Sequence, residues 1–339
     1  MSRKHRVGLT LAIGSWPIGI ILAGLINALL GFVGAAQAQL TPIQAPPSII
    51  DVPPPVEQVP PSVEARGNMF LRPPTESPST RFVRFFREGE WYFSWGYSKQ
   101  YWASTNIHVS QPSQGNDFTV HGVQGHDEPD LSGLLSGDLF GPQYNLRIGR
   151  FINEKRTIGI ELSLDHSKYT VTPGQLANVT GTIGGTPVNA NYVLDNNFFR
   201  YLLHNGANHL MTNLVYRLPL IGETNETLSV AFIGKAGVGI MVPHVDNTIL
   251  GNPNDVGMKV PSNFFGIDHG WWQFGGWTTG MEAGFRVVLW KPVYLELTDK
   301  VAYSRLWNLP VYGGTADHSL LMNEIVLSLG FTYDGTTKH

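Results

Sequence analysis

The sequence predicts an all-β protein. The expected fold is a closed antiparallel up-and-down transmembrane β-barrel of about eight strands, or ten, behind a disordered N-terminal segment. Three observations predict it: a composition low in charge, a set of segments with period-two alternation, and connectors that alternate between short and long.

The chain has 339 residues, 42% of them hydrophobic and only 14% charged, against about 25% charged in soluble domains. With 38 glycines and 11% aromatics, apolar and polar residues are finely interleaved, which suits strands with one apolar and one polar face. The absence of cysteine excludes disulfides and thiolate metal sites. The net charge is −3 and no basic run occurs beyond the first few residues, so nucleic acid is not an expected partner.

Residues 1–38 read as a signal peptide. Arg3, Lys4, His5 and Arg6 form a positive start, an apolar stretch runs from Val7 to Val33, and Ala36-Gln37-Ala38 supplies a small-x-small cleavage site. The stretch is long for a signal, so an uncleaved transmembrane helix is the alternative. Residues 39–80 are dense in proline, from Pro42 to Pro78. Proline disfavours helix and sheet, and this segment reads as an extended periplasmic linker.

From residue 81 the pattern is that of a barrel. Trp91, Phe93, Trp95 and Tyr97 alternate with Tyr92, Ser94, Gly96 and Ser98. Tyr144, Leu146 and Ile148 alternate with Asn145, Arg147 and Gly149. Ile158, Ile160, Leu162 and Leu164 oppose Gly159, Glu161, Ser163 and Asp165. The pattern recurs near 210–218, 228–240, 281–289, 293–300 and 321–333. Each segment has the length of about ten residues that a tilted strand needs to cross a bilayer. Asn153-Glu154-Lys155, Ile221 through Asn225, and Lys291-Pro292 read as tight turns. The other links are long, about 100–141, 171–207, 243–270 and 305–318. Short turns on one side and long extracellular loops on the other are the asymmetry of bacterial outer-membrane barrels.

The polar parity carries Glu161, Lys235, Glu282, Arg286, Glu296, Lys300 and Glu324. Facing lipid at mid-membrane, such charges would cost up to about 2–4 kcal/mol each; facing the lumen, they can pair. A lumen of about eight strands is just filled by side chains, which argues against a wide pore. Asp299 falls on the lipid parity, so it is expected near an interface or beside a bulge. Trp91, Phe151, Trp290, Tyr294, Phe331 and Tyr333 fall near one end of the strands, and Tyr97, Trp102, Tyr169, Trp271, Trp272, Trp277 and Tyr303 near the other. Two interfacial girdles account for this, as would the core of a soluble sandwich.

Ser328-Leu329-Gly330-Phe331-Thr332-Tyr333 is similar to the terminal-strand signal read by the outer-membrane barrel assembly machinery, although Asp334 to His339 follow it. The layout over Glu90–Tyr333 resembles small eight-stranded barrels of the OmpA/OmpW type. The resemblance is architectural and implies outer-membrane lipids, lipopolysaccharide and that machinery as partners.

Candidate chemistry centres on histidines, which fall in or beside the long links. His126 with Asp127, His269 with Asp268, and His318 with Asp317 place imidazole beside carboxylate, the chemistry of a divalent metal site in the loops. None has a dedicated ligand spacing. No other cofactor is expected. Some barrels of the resembled kind modify lipid A by acyl transfer or deacylation. Such chemistry would need a nucleophile, a base and a carboxylate, and Asp165, His166 and Ser167 are the candidates. Neighbouring strand residues point to opposite faces, so His166 and Ser167 cannot pair directly. The glycine-rich run Gly181–Pro187 and the stretch 247–262 read as flexible surface loops. The expected function is a structural, narrow-transport or surface-binding barrel, with a lipid A-modifying enzyme or a metal-binding barrel as alternatives.

Overall fold

A computed structural model describes Ser77 and residues 89–135, 137–203, 206–223, 226–255 and 274–335. The signal and, apart from Ser77, the proline-rich linker lie outside these residues, as do Trp271, Trp272, Asp268 and His269.

The strands in chain order are β1 (Glu90–Trp102), β2 (Thr105–Gln111), β3 (Asn116–Val123), β4 (Gly125–His126), β5 (Tyr144–Phe151), β6 (Ile158–Asp165), β7 (Tyr169–Val171), β8 (Leu176–Ile183), β9 (Thr186–Val193), β10 (Phe199–Leu203), β11 (Ala207–Ile221), β12 (Val230–Pro243), β13 (Asp246–Ile249), β14 (Asn252–Asp255), β15 (Gly276–Trp290), β16 (Val293–Val311) and β17 (Gly314–Asp334).

Eight of them form a closed antiparallel ring in the order β1-β5-β6-β11-β12-β15-β16-β17, sealed by β17 pairing with β1 from Glu90↔Asp334 to Trp102↔Met322. Closure leaves this part of the sheet without free edges, which a bilayer requires. The links from β5 to β6, from β11 to β12 and from β15 to β16 lie at the same end as Glu90 and Asp334. In the first, the Asn153 side-chain carbonyl accepts the N–H groups of Thr157 and Ile158, both at 2.9 Å.

The ring is inside out relative to a soluble protein. Ile160, Leu162, Leu214, Val238, Met281, Leu327 and Leu329 lie exposed on its outer wall, while Arg147, Glu161, Arg286, Lys300 and Glu324 are buried. Large apolar side chains outside and charges inside are stable only where the surroundings are hydrocarbon. This is the arrangement of an outer-membrane β-barrel. Trp290, Phe331 and Tyr333 flank the outer wall at the turn end, and Trp277 and Tyr303, 5.6 Å apart, mark the other. The expected girdles need correction at four positions. Phe151 and Tyr294 are buried with the lumenal side chains, and Trp102 and Tyr169 are buried in a separate core above the ring. Each sits on an inward parity that nearness to a strand end does not reveal.

That core reveals a second feature. Among the described residues, the links read as loops are largely β-structure. β16 and β17 continue past the ring, and β17 pairs onward with β2, followed by β3, β8 and β9. The link expected at 305–318 is thus a tight hairpin on two continuous strands. A second sheet, in the order β14-β13-β10-β7-β4, packs against this extension. Ile107, Val109, Phe118, Val120, Val179, Leu306 and Leu320 from one sheet meet Tyr169, Phe199, Tyr201, Leu203 and Ile249 from the other. Two sheets sharing one apolar core form a sandwich, here a cap on the loop end of the barrel. The run Gly181–Pro187 is the end of β8, a two-residue turn and the start of β9, with the turn residues Gly184 and Gly185 at φ 57 and 76, the left-handed conformations a tight hairpin needs. The first part of 247–262 lies in the β13–β14 hairpin.

Asp299 also departs from expectation. It lies between Leu297 and Val301 on the outer wall, and the ladder to β17 runs unshifted from Val293↔Phe331 to Leu306↔His318. No bulge accommodates it. Instead Asn323, also outward-facing, donates a hydrogen bond to its carboxylate.

Candidate functional site

The lumen holds a network of charge built by period two. Six acids (Glu90, Glu161, Asp165, Glu282, Glu296 and Glu324) and five bases (Arg147, Arg217, Lys235, Arg286 and Lys300) are buried. Lys235 Nζ lies 2.8 Å from Glu296, 3.0 Å from Glu282 and 3.2 Å from Glu161. Arg147 pairs with Asp165 and reaches Glu161 and Glu282 at 3.6 Å. Lys300 donates to Asp165. Near the turn end Arg217 grips Glu90 through two bonds of 2.7 and 2.9 Å. Arg286 bonds Glu296 at 2.7 Å and lies over the rings of Tyr92 and Tyr294 at 4.6 and 4.0 Å.

Ring order gives these contacts their meaning. β5 and β15 stand four places apart in a ring of eight, as do β6 and β16. Arg147–Glu282 and Lys300–Asp165 therefore span the full diameter. Neutral groups fill the remaining valences: Tyr92 Oη donates to Glu161 at 2.9 Å, Thr298 Oγ1 to Glu282 at 2.7 Å, and the amides of Gln100 and Asn145 both donate to Glu324 at 3.0 Å. The walls are cross-braced through the lumen, which leaves no room for a wide aqueous passage between them.

All seven charges read from the sequence lie in this lumen. Arg147 and Asp165, which the alternation puts on the polar faces of their strands, belong with them, as do Glu90 and Arg217, which the sequence reading did not single out although Arg217 shares the inward parity of Asn213. Strand parity was the signal that could have found them.

The catalytic candidates are held apart. Asp165 is engaged in the lumen. His166 Nδ1 meets Asn208 Oδ1 at 2.7 Å and its ring stacks on Tyr144 at 4.8 Å. The Ser167 hydroxyl is directed at Met322 Sδ, 3.8 Å away. The metal candidates also point elsewhere. His126 Nδ1 contacts Thr172 Oγ1 at 3.0 Å, while Asp127 binds Lys99 and accepts the Gln100 N–H at 2.8 Å. Asp317 accepts the Asn308 N–H at 2.7 Å, and His318 Nε2 meets Tyr201 Oη at 3.1 Å inside the cap core. Among the described residues no three metal-ligating side chains converge. Burial pushes the His318 imidazole down to about 3 and raises the Tyr201 hydroxyl well above its usual value. At the cap surface, the hydrogen bond from His108 holds the Asp117 carboxyl low.

No family model and no curated protein matches this chain. Among solved structures it is similar to the outer-membrane protein AlkL, with 11% identity, a TM-score of 0.32, and 75% of this chain and 94% of that one covered. Neisserial surface protein A gives 9% identity, a TM-score of 0.31, and coverage of 73% and 100%. OprG from Pseudomonas aeruginosa gives 13%, 0.31, and coverage of 73% and 97%. At this degree of overlap the likenesses transfer no residue roles, and the membrane assignment rests on the inverted ring itself.

Proposed function

We propose that this protein is an outer-membrane anchor that presents a rigid binding surface outside the cell. The observation that carries this reading is the pairing of a cross-braced lumen with an ordered cap. Long loops on a barrel that serves only as a channel need no apolar core of their own. Here the cap spends buried Phe118, Phe199, Tyr201 and Leu306 on holding two sheets in one arrangement, the kind of scaffold on which surface residues recognise a partner. The β8–β9 hairpin is its most open element. It carries no charged residue and presents Asn178, Asn189 and Asn191 as a hydrogen-bonding ladder.

The test has two parts. The full protein in planar bilayers should show no regular conductance steps; defined steps would favour transport. Cells displaying the protein should retain binding to arrays of immobilised glycans and proteins only while the hairpin is present. Replacement of Leu176–Val193 by a Gly-Ser connector should abolish it. Equal array binding by cells with the hairpin, without it, and without the protein would overturn the reading.

A further inference from the structure

The segment between β4 and β5 runs down the outside of the barrel. Trp95 and Tyr97 on β1 and Tyr144 on β5 share the outward parity of Phe93 and Ile148. Phe140 packs edge-on against two of them, its ring centroid 5.1 Å from Trp95 and 5.6 Å from Tyr144. The Tyr97 hydroxyl donates to the Leu139 carbonyl at 3.4 Å, and Lys168 Nζ to the Gly141 carbonyl at 2.7 Å. The Ser98 N–H donates to the Gln143 carbonyl at 3.1 Å, which continues the β1–β5 ladder into the segment.

This places the segment against the lipid-facing wall. Trp95 pairs with Leu329 on one side and Leu146 on the other, and Leu329 belongs to the exposed apolar belt. The segment adds apolar surface of its own. Leu131, Leu139 and Phe140, on either side of a helical turn at Ser132–Leu135, are 50%, 52% and 63% exposed. In water, Leu139 and Phe140 beside Trp95 and Tyr144 would be an apolar patch, a costly surface for a folded protein to leave bare. Two local features suit a membrane boundary. Asp138 Oδ1 accepts the N–H groups of Phe140 and Gly141 at 3.1 and 2.8 Å, satisfying donors that lipid cannot. The same carboxylate keeps the segment at the headgroup boundary and out of the hydrocarbon centre, where charge is expensive.

We infer that the described residues of the link between β4 and β5 form an interfacial anchor whose Leu131, Leu139 and Phe140 enter the acyl chains of the outer leaflet. The occupant of the patch is lipid, because the patch is continuous with the belt that already contacts lipid. This inference rests on the barrel being membrane-embedded, not on what the cap binds.

Since the chain has no cysteine, single spin labels test it directly. Leu139→Cys, Leu214→Cys on the belt and Asn189→Cys on the cap are each labelled in the full protein. Each is reconstituted in phosphatidylethanolamine–phosphatidylglycerol vesicles, and accessibility to oxygen and to a water-soluble nickel chelate is compared. The label at 139 should resemble that at 214, with an oxygen-to-nickel ratio several-fold above that at 189. A ratio at 139 equal to that at 189, with 214 still lipid-like, would overturn the anchor and leave the barrel intact. An aqueous ratio at 214 would instead bring down the membrane reading itself. Leu131→Cys provides the same comparison if the label at 139 prevents assembly.

Discussion

Lys300 on β16 donates to Asp165 on β6 across the whole width of the lumen, joining residues 135 apart in the chain. Asp165 also binds Arg147, so a single carboxylate holds two bases from different walls. Its removal leaves Lys300 without its paired carboxylate and Arg147 with only the longer contacts to Glu161 and Glu282 at 3.6 Å, whereas loss of Lys300 leaves Asp165 still paired.

The two substitutions should therefore differ. Asp165→Leu should cost about 3–5 kcal/mol, the usual penalty for stranding a buried charge, and Lys300→Met clearly less. Urea unfolding in lipid vesicles, followed by tryptophan fluorescence, measures both. Equal costs would show that the lumenal ion pairs act singly and not as a shared network.

Tyr294 occupies the space that a side chain at Gly330 would need. A Cβ there would come within 2.1 Å of the Tyr294 ring, and that ring is fully buried beside Arg286. Gly330→Ala should destabilise the barrel by about 1–3 kcal/mol through overpacking. Tyr294→Leu in the same chain should recover part of that loss, as a thermal unfolding scan of the two variants would show.

The outward pair Asp299–Asn323 places polar groups against hydrocarbon. Replacing both by leucine should raise stability in vesicles by about 1 kcal/mol or more, because an acid on the lipid face costs free energy that depends on depth. Equilibrium unfolding of the double variant is the check. A loss of stability would mean that this hydrogen bond supports the wall more than its exposure to lipid weakens it.

His318 should make the cap sensitive to acid. Its pKa falls from about 6.5 in the unfolded chain to about 3 in the folded one. Below pH 6.5 the unfolded chain therefore takes up a proton that the native cap refuses. This contribution to stability is complete above 6.5 and is lost as pH falls toward 3, at up to about 1.4 kcal/mol per pH unit. Protection factors for amide exchange in β10, where Tyr201 contacts His318, taken relative to the intrinsic rate at each pH, should fall between pH 7 and 5. The same measurement on His318→Leu should show a flatter profile.

The sequence by itself determined the ring. Alternation is a local property, and Ile158 through Asp165 shows both faces of β6 within eight residues. Parity with Glu161, Lys235, Glu282, Arg286, Glu296, Lys300 and Glu324 likewise identified the lumen, and the short turns identified the end at which the strands return. Tertiary structure alone decided the rest. The cap strands are short, and the Asn and Gly they carry favour turns when taken locally. β2 becomes a strand because β17 extends above the ring to pair with it, and Phe118 becomes core because β10 arrives from some eighty residues further along the chain. Asp165 read as a catalytic candidate beside His166 and Ser167 because its own strand says nothing of Lys300 on the opposite wall. Which face a residue occupies follows from its neighbours in sequence. Which partner it meets there follows from ring closure, and closure brings together residues that no local pattern relates.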